Sequence, residues 1–338
     1  MDQIVANTIQ VKQNNVGLVR SALLAEGGTK LGMARRTGLS VATCTTILNE
    51  MAARGEALVS GESASTGGRP AGYYRYNPHY AHVLSLYVDN EGGNNRLTYA
   101  VSTSTGEPLD CRSLVVSDID WQCIEETVAR LLAEDPKIKA VGIGIPGIVH
   151  EGVIGRADIP ALEGVELAER IRARFELAAI VENDMNMTAY GYFLQHVQEL
   201  DSLAVVIVPK DNGPGTGIVI DGRILRGHSG FAGEVHYLPE NYNPLFQSSH
   251  NEDELIEALS RMLATIVALV NPQRIVLTGA LLREDMLPAL SRVCEAAIPT
   301  EHQPELVFQQ DCSAEYLEGL RLRAQDKLHC QYRPTANQ

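Results

Sequence analysis

Apolar residues recur at helical spacing through the first fifty positions. In residues 14–25 (NNVGLVRSALLA), Val16, Val19, Ala22 and Leu23 share one face, which predicts a helix ended by Gly27-Gly28. Thr29 can cap a second helix over KLGMARRT, with Leu31 and Ala34 turned inward. Thr37-Gly38-Leu39 reads as a tight turn. Ser40 then caps a third helix, VATCTTILNEMAARG, whose stripe is Cys44, Ile47, Leu48 and Met51. Helix, glycine turn and capped helix form the helix-turn-helix pattern, whose second member enters a DNA major groove. Glu56–Ser60 and Tyr73–Tyr76 read as two short strands around a polar Gly-rich loop, so the unit is expected to be a winged helix.

From residue 82 the period changes. His82–Val88, Leu97–Val101, Ala140–Ile145, Ala179–Val181, Leu203–Val208, Ile218–Ile220 and Arg274–Leu277 read as strands. Helical stretches stand between them, one with Ile124, Val128, Leu131 and Leu132, another over Leu263–Val270. Strands alternating with helices imply an α/β architecture with buried sheets. The expected division is residues 1–80 and residues 81–338.

Composition changes the picture in one respect. The 338 residues are 45% hydrophobic and 21% charged, enough for a large core, and the net charge is −14. Residues 1–80 hold eight Lys/Arg against five Asp/Glu, a charge of +3 that leaves −17 for the rest. A basic head on an acidic body suggests two tasks, with nucleic acid confined to the head. No basic-then-apolar leader opens the sequence and no apolar run approaches a membrane span, so a cytoplasmic protein without membrane association is expected. The six cysteines form no C-x-x-C pair and read as scattered thiols.

Candidate chemistry divides the same way. On the third helix Thr43, Thr45, Thr46 and Asn49 join Ser40 as groups that could meet bases. Arg35 and Arg36 beside the turn suit phosphates, and Arg69 at the loop tip suits a narrow minor groove. A small helical interaction domain would carry the same stripe, but spacing, caps and wing occur here together. In the body, polar residues follow apolar strands, where α/β proteins place ligands. Gly147 closes one strand. Asn183 and Asp184 close another, as an Asx cap or as hydroxyl-binding groups. The GPGTG run at 213–217 is a phosphate cradle or a plain hairpin. Glu234 ends a small-residue turn, and His236 beside it is a surface histidine or a ligand-side group.

In order along the chain, ARRTGLS, ILNEM, STGGRP, GIGIPGIV, VENDMN, IVIDGRILRG, GFAGEV and NPQRIVLTG resemble the ROK family (repressor, open reading frame, kinase) over nearly the whole sequence. The resemblance implies a winged helix followed by a two-lobed sugar-kinase fold of the actin/hexokinase type. In the family's kinases the residue matching Asp184 is the base that deprotonates the sugar, and those matching Asn183 and Glu234 hold sugar hydroxyls.

The departures are as informative. The family's zinc histidine position is Tyr237, with His236 displaced by one, and no cysteine lies between Cys123 and Cys294, so no zinc is expected. The first phosphate loop is replaced by VDNEGGNN, the second carries Asp211 in place of a glycine, and Ala280 replaces a glycine in the third turn. Phosphoryl transfer depends on positioning those phosphates. The expectation is a transcription regulator of repressor type, binding an operator duplex and a sugar-like effector as a homodimer or higher homo-oligomer, without a cofactor. A working sugar kinase with a DNA-binding head, or a regulator whose vestigial cleft answers to a protein partner, are the alternatives.

Overall fold

The computed structural model describes residues 2–61, 72–90, 93–210, 212–238 and 251–331. Arg69 and Asp211 lie outside them. The first unit is α1 (Asp2–Ala25), β1 (Gly28–Thr29), α2 (Lys30–Thr37), α3 (Val41–Ala53), β2 (Ala57–Ser60) and β3 (Tyr73–Tyr76). The cap assignments hold. The Thr29 side chain accepts from Gly32 N–H, Ser40 accepts from Thr43 N–H, and Gly38 takes the left-handed conformation that ends α2. Val19, Leu23, Met33, Cys44, Ile47, Leu48 and Met51 bury together under Tyr74 and Tyr76. Leu31, expected inside, is 50% exposed. The inward stripe runs through Met33, Ala34 and Thr37, and Leu31, two residues before Met33, lies about 200° around the helix from it and so faces outward. The three strands form one antiparallel sheet in the order β1-β3-β2.

The remainder repeats one plan. The first half has β4 (His82–Asp89), β5 (Arg96–Thr103), β6 (Pro108–Val115), α4 (Trp121–Glu134), β7 (Ile138–Ile145), the hairpin β8 (Gly147–His150) and β9 (Val153–Ala157), α5 (Leu167–Phe175), β10 (Ala178–Asn183) and α6 (Asp184–Gln195). The second has β11 (Ser202–Ile207), β12 (Gly215–Ile220), β13 (Arg223–Ile224), α7 (Glu252–Val270), β14 (Arg274–Thr278), α8 (Leu287–Ala297), β15 (Glu305–Phe308) and α9 (Ser313–Gln331). The sheets are ordered β6-β5-β4-β7-β10 and β13-β12-β11-β14-β15. In each, three antiparallel strands precede two parallel ones, so both halves have the order 3-2-1-4-5.

Each half lends its last helix to the other. Met185, Ala189, Tyr192 and Phe193 of α6 pack with Leu203, Val205 and Val219 of the second sheet. Ala324 and Leu328 of α9 pack with Val83, Ala140 and Ala178 of the first. The two helices cross at glycines: a Cβ on Gly191 would lie 1.9 Å from the Glu315 carbonyl oxygen, and one on Gly319 2.1 Å from that of Met187. The cleft between the sheets therefore opens beside a crossing in backbone contact.

A buried polar chain ties α9 to the N-terminal unit. Arg321 holds Glu318 and donates to Gln325 (2.8 Å), and Gln325 donates to the Ser104 carbonyl (2.8 Å). Ser104 donates from Oγ to the Pro78 carbonyl (2.9 Å). Next to Pro78, Asn77 donates to the Gly55 and Glu56 carbonyls, both at 2.9 Å. The Glu56 carboxylate is ion-paired with Arg20 and Arg54, which holds it below the usual carboxylate range against the opposing effect of burial. Burial and the Arg20 charge push His329, near the end of α9, down to about 4, so that end lies within the field of the same cluster. Among the described residues no helix is long and apolar enough to cross a membrane.

Candidate functional site

Asp184 is the first residue of α6, at the end of the parallel strand β10. Asn183 caps that helix: its Oδ1 accepts from Asn186 N–H (2.8 Å), and its Nδ2 donates to the Gly147 carbonyl and to Asp184 Oδ1, both at 2.9 Å. The cap and the site are thus one arrangement. Both amide hydrogens are spent, one on the Gly147 carbonyl and one on Asp184, and one lone pair on Oδ1 remains for a ligand. The Met185 N–H also donates to Asp184 Oδ1 (2.8 Å).

These groups face a cavity of about 440 Å³ that gathers Gly147, Asn183, Asp184, Glu234 and His236, five positions singled out in the sequence. It also gathers Tyr237, at the position of the family's zinc histidine, and Arg156, Asp158 and Asn212, which sequence reasoning did not find. Asp158 comes from the far end of the β8–β9 hairpin. The hairpin folds back because Gly147 lets its backbone lie against Ala157, where a Cβ would come within 2.6 Å. Asn212, from the second half, donates to Asp158 Oδ2 (2.9 Å) across the mouth. No spacing in the sequence signals that meeting of distant loops.

The cavity is short of positive charge. Burial pushes Asp184 up to about 7, and the Asp158 and Glu234 carboxylates add to the shift against the pull of the Met185 N–H. Burial, then Asp158, raises Glu234 to about 7 as well. Burial lowers His236, although Asp158 opposes this, and its Nδ1 stands 3.4 Å from Glu234 Oε2. Such a site offers several strong acceptors to hydroxyl donors. Among the described residues no group of three or more His, Cys, Asp or Glu is placed to hold a metal ion.

The GPGTG segment has a structural task. Gly215, Thr216 and Gly217 are the start of β12 and pair with β11. A Cβ on Gly217 would lie 1.9 Å from the Met185 carbonyl oxygen. The glycines there admit α6, and Gly213, Pro214, Gly215 and Thr216 also line the cavity, so one segment is both a hairpin strand beneath a helix and part of the cavity wall.

On the N-terminal unit, Ser40 and Thr43 bond each other at the start of α3 (2.9 Å) and Thr46 bonds the Ala42 carbonyl. Asn49 accepts from the Tyr74 hydroxyl (3.2 Å). Thr45 is half-buried, while Thr46 and Asn49 are exposed. Arg35 and Arg36 are both exposed, and Arg36 also bonds the Gly27 carbonyl (3.0 Å) and Glu26.

Residues 88–246 match the ROK family model. Over those residues the chain is similar to the ROK family. A xylose repressor of Caldicellulosiruptor bescii is 26% identical over 254 residues, covering 70% of this chain and 61% of that protein, so the chain spans about three-fifths of that relative. An N-acetyl-D-glucosamine kinase of Aliivibrio salmonicida is 32% identical over 157 residues, covering 44% of this chain and 51% of the kinase. In three dimensions, a ROK family transcriptional regulator described as a homolog of the E. coli MLC protein superposes with a TM-score of 0.75 at 22% identity, over 94% of this chain and 97% of that one. The α/β body has the ROK fold, and the two sheets of identical order are its two lobes.

Proposed function

We propose that this chain is a transcription regulator of repressor type that binds duplex DNA through residues 1–80 and a sugar-like effector in the cleft of residues 81–338, without phosphorylating it. One observation carries the reading: the hydroxyl-accepting groups Asp184 and Glu234 are gathered with Asn183 and Asp158 around one cavity that is short of positive charge. The three helices, two of them capped, serve with their small sheet as a winged helix-turn-helix. Arg35 reaches phosphates and the exposed face of α3, with Thr46 and Asn49, meets base edges. The repressor names among its relatives support the same assignment. Helix-turn-helix readers pair to span two half-sites, so a homodimer or higher homo-oligomer is part of the proposal.

The buried chain from α9 through Gln325, Ser104 and Pro78 supplies the link. A ligand that favours one arrangement of the lobes would bias α9 and, through it, the seating of the N-terminal unit.

A second reading, a sugar kinase, draws on Asp184 itself, held near neutrality where a general base is effective, and on kinase relatives. A thermal-shift screen of the full chain with sugars, sugar phosphates and AMPPNP, beside a coupled ATP-turnover assay, separates the two. Stabilisation by a sugar alone, with no turnover, is expected. Sugar-dependent turnover lost in Asp184→Asn would replace the regulator reading with the kinase.

A further inference from the structure

A second cavity of about 840 Å³ opens on the other side of Asp184 and shares Asp89, Pro146, Asp184, Met185 and Ile207 with the first. Its wall carries Phe308 and the rings of Tyr87 and Tyr316, stacked 4.6 Å apart at 25°. Tyr316 is 7% exposed and its hydroxyl has no hydrogen-bond partner. That hydroxyl sits against bare backbone: a Cβ on Gly144 would lie 1.9 Å from it. The Asp184 and Asp89 carboxylates both act on it electrostatically. A ligand hydroxyl entering here meets an unsatisfied phenol and acidic acceptors, and a buried polar group without a partner is what a ligand can satisfy.

The charge on the wall decides what kind of ligand fits. Asp89, Asp184, Glu284 and Asp311 stand against Arg96 and Arg283. Arg283 is already bonded to Glu252 (2.7 Å) and Asp285 (3.0 Å), and Arg96 stands opposite Asp89 in the β4–β5 register. A polyphosphate would bring further negative charge to this surface. A neutral polyhydroxylated ring brings donors to the carboxylates and an apolar body to the aromatic rings.

We propose that the second cavity seats the second unit of a larger glycoside, so that the effector is a disaccharide or substituted sugar reaching past Asp184. This rests on the reading of the first cavity as a sugar site. The test is calorimetry on the full chain with D-xylose, D-glucose and N-acetylglucosamine, and with xylobiose, cellobiose and chitobiose. A disaccharide should bind about tenfold or more tightly than its own monosaccharide. Tyr316→Phe should weaken the disaccharide by about three- to tenfold and leave the monosaccharide unchanged. Equal affinities for the wild-type chain, or a disaccharide indifferent to Tyr316→Phe, would overturn the extension while the sugar site stands. AMPPNP that binds and excludes the disaccharide would assign the cavity to a nucleotide and overturn it too. Failure of all six sugars to bind would overturn the sugar site and the extension together.

Discussion

Asp184 shows how one residue serves fold and site at once. Its carboxylate accepts from Asn183 and Met185, yet burial and the neighbouring carboxylates hold its proton up to about 7. The folded chain keeps that proton where the unfolded chain has lost it, so the contribution to stability is full below about pH 4 and is lost as pH rises through about 7. Asp184→Asn cannot ionise. Melting curves should place it close to the wild type at pH 5 and roughly 2–4 °C above it at pH 8; a variant less stable at pH 8 would mean that the ionised carboxylate stabilises the fold. Ligand affinity has the opposite sign. A sugar hydroxyl donates better to the ionised group, so binding to the wild type should strengthen by about five- to tenfold between pH 6 and pH 8. A flat calorimetric profile would place the ligand away from Asp184.

At the scale of elements, the crossing of α6 and α9 fixes the cleft. Gly191→Ala puts a Cβ 1.9 Å from the Glu315 carbonyl oxygen, which the helices can accommodate only by separating. The expected cost is on the order of 1–3 kcal/mol in a urea titration, with weaker ligand binding; an unchanged midpoint would show that the helices slide freely. Gly17→Ala, with nothing within 4 Å of the added carbon, is the control and should be neutral or slightly stabilising. Caps and stripes in α2 and α3 were legible because they are local, as were the apolar strands β4, β7, β11 and β14. The edge strand β6 was missed because PLDCRSLV is largely exposed and does not alternate. The helix α9 was missed as well. It buries Tyr316, Leu320, Ala324 and Leu328 at helical spacing, but it lies between two packed layers and buries Glu315, Arg321 and Gln325 as well, which blurs the stripe in the sequence. Asp158 joins the site through a hairpin and a cross-cleft bond, which only the folded chain creates.

In the whole molecule, one buried polar chain joins the cleft beside Asp184 to the N-terminal unit. Gln325→Leu removes the bond to Ser104 while leaving Asp184, Glu234 and α3 in place. It should keep both binding activities and lose their coupling. The most direct measurement is fluorescence anisotropy of a duplex selected from a random pool by the full chain, titrated with and without the sugars that stabilise it. The account predicts a dissociation constant that changes by about 5- to 150-fold with an effector sugar, that weakens with salt, and that no longer responds to sugar in Gln325→Leu. A pool from which no duplex is enriched, or an affinity that every stabilising sugar leaves unchanged, would contradict it.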